Sequence, residues 1–438
     1  MRFSMDFLLS LLVVSIIFCG CLSESVKDEI STEPLLDCEN TALVSYEPLV
    51  SGENSHTIVA NVRSIKLNES SEVLVFTEPI DGTFSILESP CTANCSRIVF
   101  GNESFIAPLR LDAADFDGDG KNELVLSDIG ILPPSDEKYG KVSILTINNS
   151  SIVDEQIVIQ DIGRVACAEA ADLDSDQDLD LTICEFGNTN GSVGWLENLG
   201  EENWTWHKLE NKSGAIEATP VDIDGDGDLD IVSIISQLSE EIVIFWNDGS
   251  GNFVQEILFN ANTTYYGMSG INIVDYGNDG DKDILFTNGD VLDGDFPSNE
   301  NFWDYHGLSL LENMGGGEFQ YQKIMSFTGA YDSAIYDIDS DGDDEIVVIG
   351  FRPTFGGAIF DDNDPSPNIG WLDFIDQSWV TIFPTNDIDI PLITLEVMDL
   401  NGDGERSLIA GNHDVTNSTD APKLISISAN YNTTCVEN

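Results

Sequence analysis

Asp222, Asp224, Asp226 and Asp230, with Gly227 among them, are spaced to wrap oxygen atoms around one point. Carboxylates at loop positions 1, 3, 5 and 9 turn alternate side chains inward, and glycine at position 6 permits a sharp turn at positive φ. Several hard oxygens at flexible spacing suit Ca2+ better than Mg2+, which demands tighter octahedral geometry. The pattern recurs at Asp115, Asp117, Asp119 and Glu123, at Asp172, Asp174, Asp176 and Asp180, and at Asp337, Asp339, Asp341 and Glu345. Weaker copies stand at Asp275, Asp279 and Asp283, where Gly277 removes one ligand, and at Asp399, Asn401 and Asp403, where Ser407 replaces the last carboxylate. In the third-unit loop Gln177 occupies the glycine position, at an expected strain of about 1 kcal/mol. An EF-hand is excluded, because position 12 is Leu126, Ile183, Ser233, Phe286, Val348 or Ala410 rather than glutamate. Up to six structural Ca2+ ions are expected, since crowded carboxylates repel until a divalent cation offsets them.

The elements that must hold these loops follow from their period. Loop starts lie 57, 50, 53, 62 and 62 residues apart, a spacing suited to a propeller or solenoid. A short apolar stretch enters each loop and a β-rich run leaves it, as in LVLS, LTIC, IVSII, ILFT and IVVIG. A third strand follows, often with Trp (VGWLEN, IVIFWND, IGWLDF), and then a fourth (WTWHKL, FVQEIL, FQYQKI). Four short strands per unit joined by Gly/Asn/Asp turns make a propeller blade. No long apolar period of 3.6 residues appears, so helix should be scarce. One unit before Asp115, the stretch TIVANV and the run after Glu72 copy the flanking strands without the acidic loop. The expected fold is therefore all-β: a seven-bladed β-propeller of four-stranded blades, the first lacking an acidic loop. The strand from Thr41 should complete the last blade and close the ring.

At this point the sequence resembles the FG-GAP/VCBS repeat proteins, whose propeller is similar to that of integrin α subunits. The resemblance covers roughly residues 40–435 and rests on the DxDxDG-type loops and the strand grammar, since the literal FG and GAP tripeptides are not at repeat positions. It implies a propeller with calcium loops between the first and second strands of a blade. Members of the family differ in function.

Residues 1–21 read as a signal peptide, with an apolar run from Phe7 to Phe18 too short to span a bilayer. Its end, Phe18-Cys19-Gly20-Cys21, looks like the lipobox of prokaryotic lipoproteins, with Cys21 the residue to be lipidated. Plain secretion or an uncleaved anchor are the alternatives. Residues 22–37 are an acidic tether and 38–438 the propeller. Eleven Asn-X-Ser/Thr sequons, among them Asn68, Asn94 and Asn203, agree with export as a glycoprotein. Without Cys19 and Cys21, six cysteines remain, which allow fifteen pairings. The repeat favours Cys91–Cys95, Cys167–Cys184 and Cys38–Cys435. The net charge of −62 excludes a sequence-independent nucleic-acid binder, and argues against docking on an anionic membrane surface through a basic patch. The membrane is reached only through an N-terminal lipid or anchor. The six loops hold 27 of the 79 acidic residues, so six divalent ions would leave most of the excess on the surface. Such a surface suits a saline environment or solubility.

Loops joining the first to second and third to fourth strands share one face of a propeller, which takes the acidic loops. The other face carries the long insertions 127–141, 288–307, 351–368 and 411–422. Candidate ligand contacts there are Trp303, Tyr305, His306, Arg352, Phe355 and His413, because aromatic rings with a few polar groups suit a sugar or a peptide. The alternative is that these aromatics plug the channel. No HExxH, G-x-S-x-G elbow or glycine-rich phosphate loop is present, so no catalytic residue is assigned. The expected function is a cell-surface calcium-binding propeller that binds or adheres to an extracellular glycan or protein. A structural envelope component, and a calcium-dependent polysaccharide-active enzyme such as a lyase, are the alternatives.

Overall fold

The computed structural model describes residues 36–52, 57–69, 71–88, 90–101, 104–290, 302–352, 366–375, 378–414 and 421–437. Residues 40–432 form one compact unit. A second unit groups 1–39 with 433–438, of which the described part is strand backbone.

Seven antiparallel sheets follow one another along the chain. The first blade contains Asn61–Asn68, Ser71–Glu78, Thr83–Leu87 and Arg97–Gly101, paired in that order. The innermost strands of the next six blades are Pro108–Ala114, Val165–Ala171, Ala215–Val221, Met268–Val274, Ala330–Tyr336 and Leu392–Met398. Each inner strand contacts the next, and the last contacts the first, so the ring closes. In the second to sixth blades the second strands are buried along their whole length, as in Asp230–Ser236 and Glu345–Gly350. They are packed from both sides by neighbouring blades, which explains why they read as continuous β-branched runs rather than alternating ones. The outer strands are far more exposed, as in Phe253–Asn260. Helix is confined, among the described residues, to the single turn Phe302–Tyr305.

The seventh sheet joins Leu392–Met398, Ser407–Asp414, Leu424–Glu437 and, on its outer edge, the N-terminal strand Leu36–Val50. Chain ends thus share a blade, as the leftover strand at each end requires. The stretch TIVANV divides between two sheets. Thr57–Ile58 pairs with the end of Ser407–Asp414, and the first blade's own inner strand begins at Asn61. The break at Val59-Ala60 crosses from one blade to the next: Val59 donates its N–H to Asn412 and Ala60 donates its own to Thr77.

Disulfides join Cys91 to Cys95 and Cys167 to Cys184. The second links directly paired residues on the two strands flanking the third-blade loop. Cys38 and Cys435 lie outside the residues whose side chains are described, as does Cys21 with the rest of 1–35.

Candidate metal centre

All six acidic loops connect a first to a second strand, and they share one backbone form. The position-1 carboxylate gathers the N–H groups of the turn: Asp115 Oδ1 accepts from Gly118 (2.8 Å) and Asp119 (3.1 Å), and Oδ2 accepts from Gly120 (2.9 Å). Position 3 accepts from position 5, and position 5 from position 7, as in Asp226 N to Asp224 Oδ1 (3.1 Å) and Asp228 N to Asp226 Oδ1 (2.9 Å). The seventh-blade loop keeps the same ladder, with Asn401 Oδ1 accepting from Asp403 N at 2.9 Å, whereas the fifth keeps only Asp281 N to Asp279 Oδ1 (3.1 Å), since Gly277 offers no acceptor. Two positions are left-handed, not one. Position 6 is Gly120, Gly227, Gly280, Gly342 or Gly404, but Gln177 (φ 79°) in the third blade. Position 4 also has positive φ, at Gly118, Ser175, Gly225, Asn278, Ser340 and Gly402. Gln177→Gly should therefore stabilise the protein by about 1 kcal/mol, read as a raised denaturation midpoint with unchanged slope.

Four loops bring three carboxylates within 4.8 Å of one another: Asp115, Asp117 and Glu123; Asp172, Asp174 and Asp180; Asp222, Asp224 and Asp226; and Asp337, Asp339 and Glu345. Asp119, Asp176, Asp230 and Asp341 lie outside these triads. Among the described residues no such triad forms from Asp275, Asp279 and Asp283, nor from the seventh-blade Asp399 and Asp403. In those two loops position 8 is basic and turns toward the preceding blade. Lys282 Nζ donates to the Asp222 carbonyl at 2.7 Å, and Arg406 pairs with Asp344 at 2.5 Å.

The donor set fits a hard divalent cation. Asp172 Oδ1 is buried without a hydrogen bond among the described residues, an oxygen that lacks the partner burial demands. Residues of the four triads would hold the ion through carboxylate oxygens, and the ion would supply charge compensation there.

Position 9 is the buried member of each strong set. Asp180 Oδ2 accepts from Leu173 N (2.9 Å) and its Oδ1 from Asn198 N (2.8 Å). Asp283 does the same with Tyr276 N (2.6 Å) and Asn313 N (2.7 Å). Burial pushes Asp180 up to about 7, Asp230 to about 6 and Glu345 to about 8, against the hydrogen bonds that favour ionisation. Unfolded carboxyls titrate near 4 (roughly). Between about 4 and those raised values, the folded ion-free protein holds protons that the unfolded chain has released. Its stability therefore falls as pH rises through that window. Melting curves in EDTA should drop from pH 5 to 8, and those in saturating Ca2+ should drop less, because the ion replaces the protons. Parallel pH profiles in the two buffers would contradict this.

The third strands supply asparagines that sequence reading took only as strand ends. Asn247 Nδ2 donates to Leu229 O (2.9 Å) in its own loop and to Leu173 O (2.7 Å) in the loop of the preceding blade. Asn313 Nδ2 likewise holds Lys282 O (3.1 Å) and Ile223 O (3.0 Å). Each clamps two loops, a role visible in sequence only as the recurring Asn before a glycine turn. Asn313→Ala should cost about 1–3 kcal/mol by orphaning buried carbonyls. It should also weaken metal binding at the Asp222 loop one blade away, measured by calcium titration.

The five candidate ligand contacts among the described residues do not converge. His306 is fully buried and accepts from Gly329 N at Nδ1, and burial drives it down to about 3. It packs on Phe302 with ring centroids 4.9 Å apart. His413 lies edge-on to Phe351 and is held down to about 4 by burial. Arg352 bonds the Ser366 carbonyl. Phe355 lies outside the described residues. Tyr305 meets Tyr265 edge-on at 5.7 Å. Trp303 lines an open pocket of about 420 Å³ with Lys323, Met325, Thr381 and Phe383. Trp303 and Phe383 stand edge to face at 6.1 Å. Lys323 Nζ donates to the Trp303 and Asp304 carbonyls, and burial lowers it to about 8.

Seven blades, six of them with an acidic loop between the first and second strands, define a β-propeller with candidate metal sites. The family model described as an FG-GAP-like repeat matches residues 172–233 and 222–286. No curated protein matches the sequence. Among solved structures, the chain is similar to BBS1N, crystallised in complex with ARL6DN and soaked with mercury. That match has 9% identity and a TM-score of 0.49, covering 87% of this chain and 96% of that one. It is also similar to the Dos1 propeller, at 8% identity and a TM-score of 0.49, covering 87% and 95%.

Proposed function

We propose that the protein is an exported, calcium-stabilised binding module that presents its long insertions to an extracellular glycan or protein. The observation that carries this reading is the set of four carboxylate triads at equivalent turns, one of them with a buried oxygen lacking a partner. The loops stiffen the face they occupy and leave the opposite face free for a ligand. The pocket walled by Trp303 and Phe383, with the Lys323 side chain at its edge, is the ligand contact: rings offer a flat apolar surface to a sugar or side chain. Disulfides at Cys91–Cys95 and Cys167–Cys184 suit an oxidising compartment, and the N-terminal segment ending at Cys21 supplies the membrane anchor.

The test is a glycan and protein array probed with the purified protein in millimolar Ca2+ and in EDTA. Binding that needs Ca2+ and is lost in Trp303→Ala supports the reading. An array silent in both buffers, or binding indifferent to Trp303→Ala, overturns the ligand assignment.

A further inference from the structure

The pocket beside Trp303 is built from the outer strands of two blades. Phe319–Ser326 of the fifth blade supplies Lys323 and Ser326, Ser378–Ile382 of the sixth supplies Thr381, and Phe383 follows it. Among the described lining residues only Lys323 is charged.

That lysine stands apart in a chain where 79 acidic residues face 17 basic ones. Four lysines are buried or half-buried among the described residues. Lys141 meets Glu155 at 3.0 Å, Lys212 meets Glu241 at 2.6 Å, and Lys423 meets Glu78. Lys323 ion-pairs with no carboxylate among the described residues. Its Nζ donates to the Trp303 (3.3 Å) and Asp304 (3.0 Å) carbonyls, which leaves one of the three ammonium N–H groups without an acceptor. Carbonyl dipoles solvate an ammonium, but they do not cancel its charge. Burial therefore lowers Lys323 to about 8, opposed only in part by attraction to the Asp304 carboxylate. The other titratable groups about it are His306 and Tyr321. His306 is fully buried and held neutral, and Tyr321 turns its hydroxyl to Ser309 and Tyr266. Neither supplies a negative charge.

The rest of the pocket suits a pyranose. Phe383 is held edge to face against Trp303 at 6.1 Å and tilted against Phe327 at 6.0 Å, so its ring has a fixed aspect. A pyranose turns C–H groups to such a ring and hydroxyls to its rim, where Ser326 and Thr381 offer hydroxyls of their own. The acidic surface at large repels a densely charged polyanion, so the matching ligand carries its negative charge singly. Resting on the assignment of this pocket as the ligand contact, we propose that it selects an acidic sugar: a uronic acid residue whose carboxylate accepts from Lys323 Nζ while its ring lies against Phe383 and Trp303. An acidic peptide side chain would answer the ammonium but leave the rings and hydroxyls unused.

The test titrates the full chain with methyl glucuronide and methyl galacturonide, and with their neutral counterparts methyl glucoside and methyl galactoside. Binding is followed by saturation-transfer NMR in saturating Ca2+ and 0.15 M salt (roughly physiological). At pH 7 one uronide at least should bind about fivefold more tightly than its neutral counterpart. Lys323→Gln should abolish that preference and spare the neutral sugar, whereas Trp303→Ala should weaken both. In the unmutated protein the preference should fade between pH 7 and pH 9 as the ammonium gives up its proton, while the sugar carboxylate and His306 keep their charge states. That comparison needs no variant, and circular dichroism melts confirm that the variants fold. Equal binding of acidic and neutral sugars, or a preference that survives Lys323→Gln, overturns the inference. So does equally tight binding of N-acetylglutamate amide, which would mean that any carboxylate suffices. Neutral and acidic sugars that bind alike but are lost in Trp303→Ala would leave the pocket's assignment standing, whereas binding of no sugar at all removes both.

Discussion

Removing calcium is expected to lower the melting temperature on the order of 10 °C. A ligand bound only by the folded state stabilises it by RT ln(1 + [L]/Kd), about 2.7 kcal/mol per site at a hundredfold excess over Kd. Four triads give about 11 kcal/mol in total. With an unfolding entropy of about 2.1 cal/mol/K per residue over ~400 residues, that free energy corresponds to a shift of roughly this size. Mg2+ should restore little of it, since it demands a tighter octahedron than these loops offer. Asp224→Ala should shrink the shift by taking one oxygen from the Asp222, Asp224 and Asp226 triad. Asp279→Ala should change it less, because the fifth-blade loop gathers no triad among the described residues. Melting curves that coincide in EDTA and in millimolar Ca2+ would mean that the loops are acidic turns held by their own hydrogen bonds alone.

Those loops were legible because the requirement is local. An oxygen cage with a glycine turn has fixed spacing, so nine residues declare it, and a period near 57 declares the blade. Even the departures could be read. Gln177 stands where glycine belongs and does take φ 79°, and Gly277 and Ser407 mark the two loops that form no triad. The left-handed residue at position 4 was missed, because glycine, serine and asparagine there mimic ordinary turn composition. The clamps at Asn247 and Asn313 were missed for a different reason. Their partners Leu173 and Ile223 lie 74 and 90 residues away, and the donor meets a backbone carbonyl that has no side-chain identity to spot. His306 was read as a ligand contact from its aromatic neighbours, whereas those neighbours bury it. Charges on the inner strands were the least legible. Each inner strand contributes one or two polar residues, and only closure of the ring sets Arg63 against Glu169.

Closure also buries an ion pair that no local pattern announces, and breaking it is expected to cost about 3–5 kcal/mol. Lys423, at the entry to the strand Leu424–Glu437 of the last blade, is 1% exposed, and its ammonium meets Glu78 of the first blade, itself 2% exposed. Asp81 lies 3.5 Å from the same ammonium, and Arg97 approaches the other Glu78 oxygen at 2.7 Å. Lys423 also donates its backbone N–H to Val50 O on the N-terminal strand, so one residue ties together both chain ends and the first blade. Glu78→Leu leaves the Lys423 ammonium buried with only Asp81 nearby, and removes the acceptor of Arg97 and of the Ser85 hydroxyl. Arg97 is 15% exposed in its side chain and can turn toward water, whereas Lys423 has no such exit. The single substitution should therefore lower the denaturation midpoint strongly. Adding Lys423→Met should recover much of the loss, since an apolar pair carries no unpaired charge. A double-mutant cycle on Glu78 and Lys423 reads the coupling directly. If the two losses simply add, the pair does not hold the ring, and closure rests on the strand pairing of the seventh sheet.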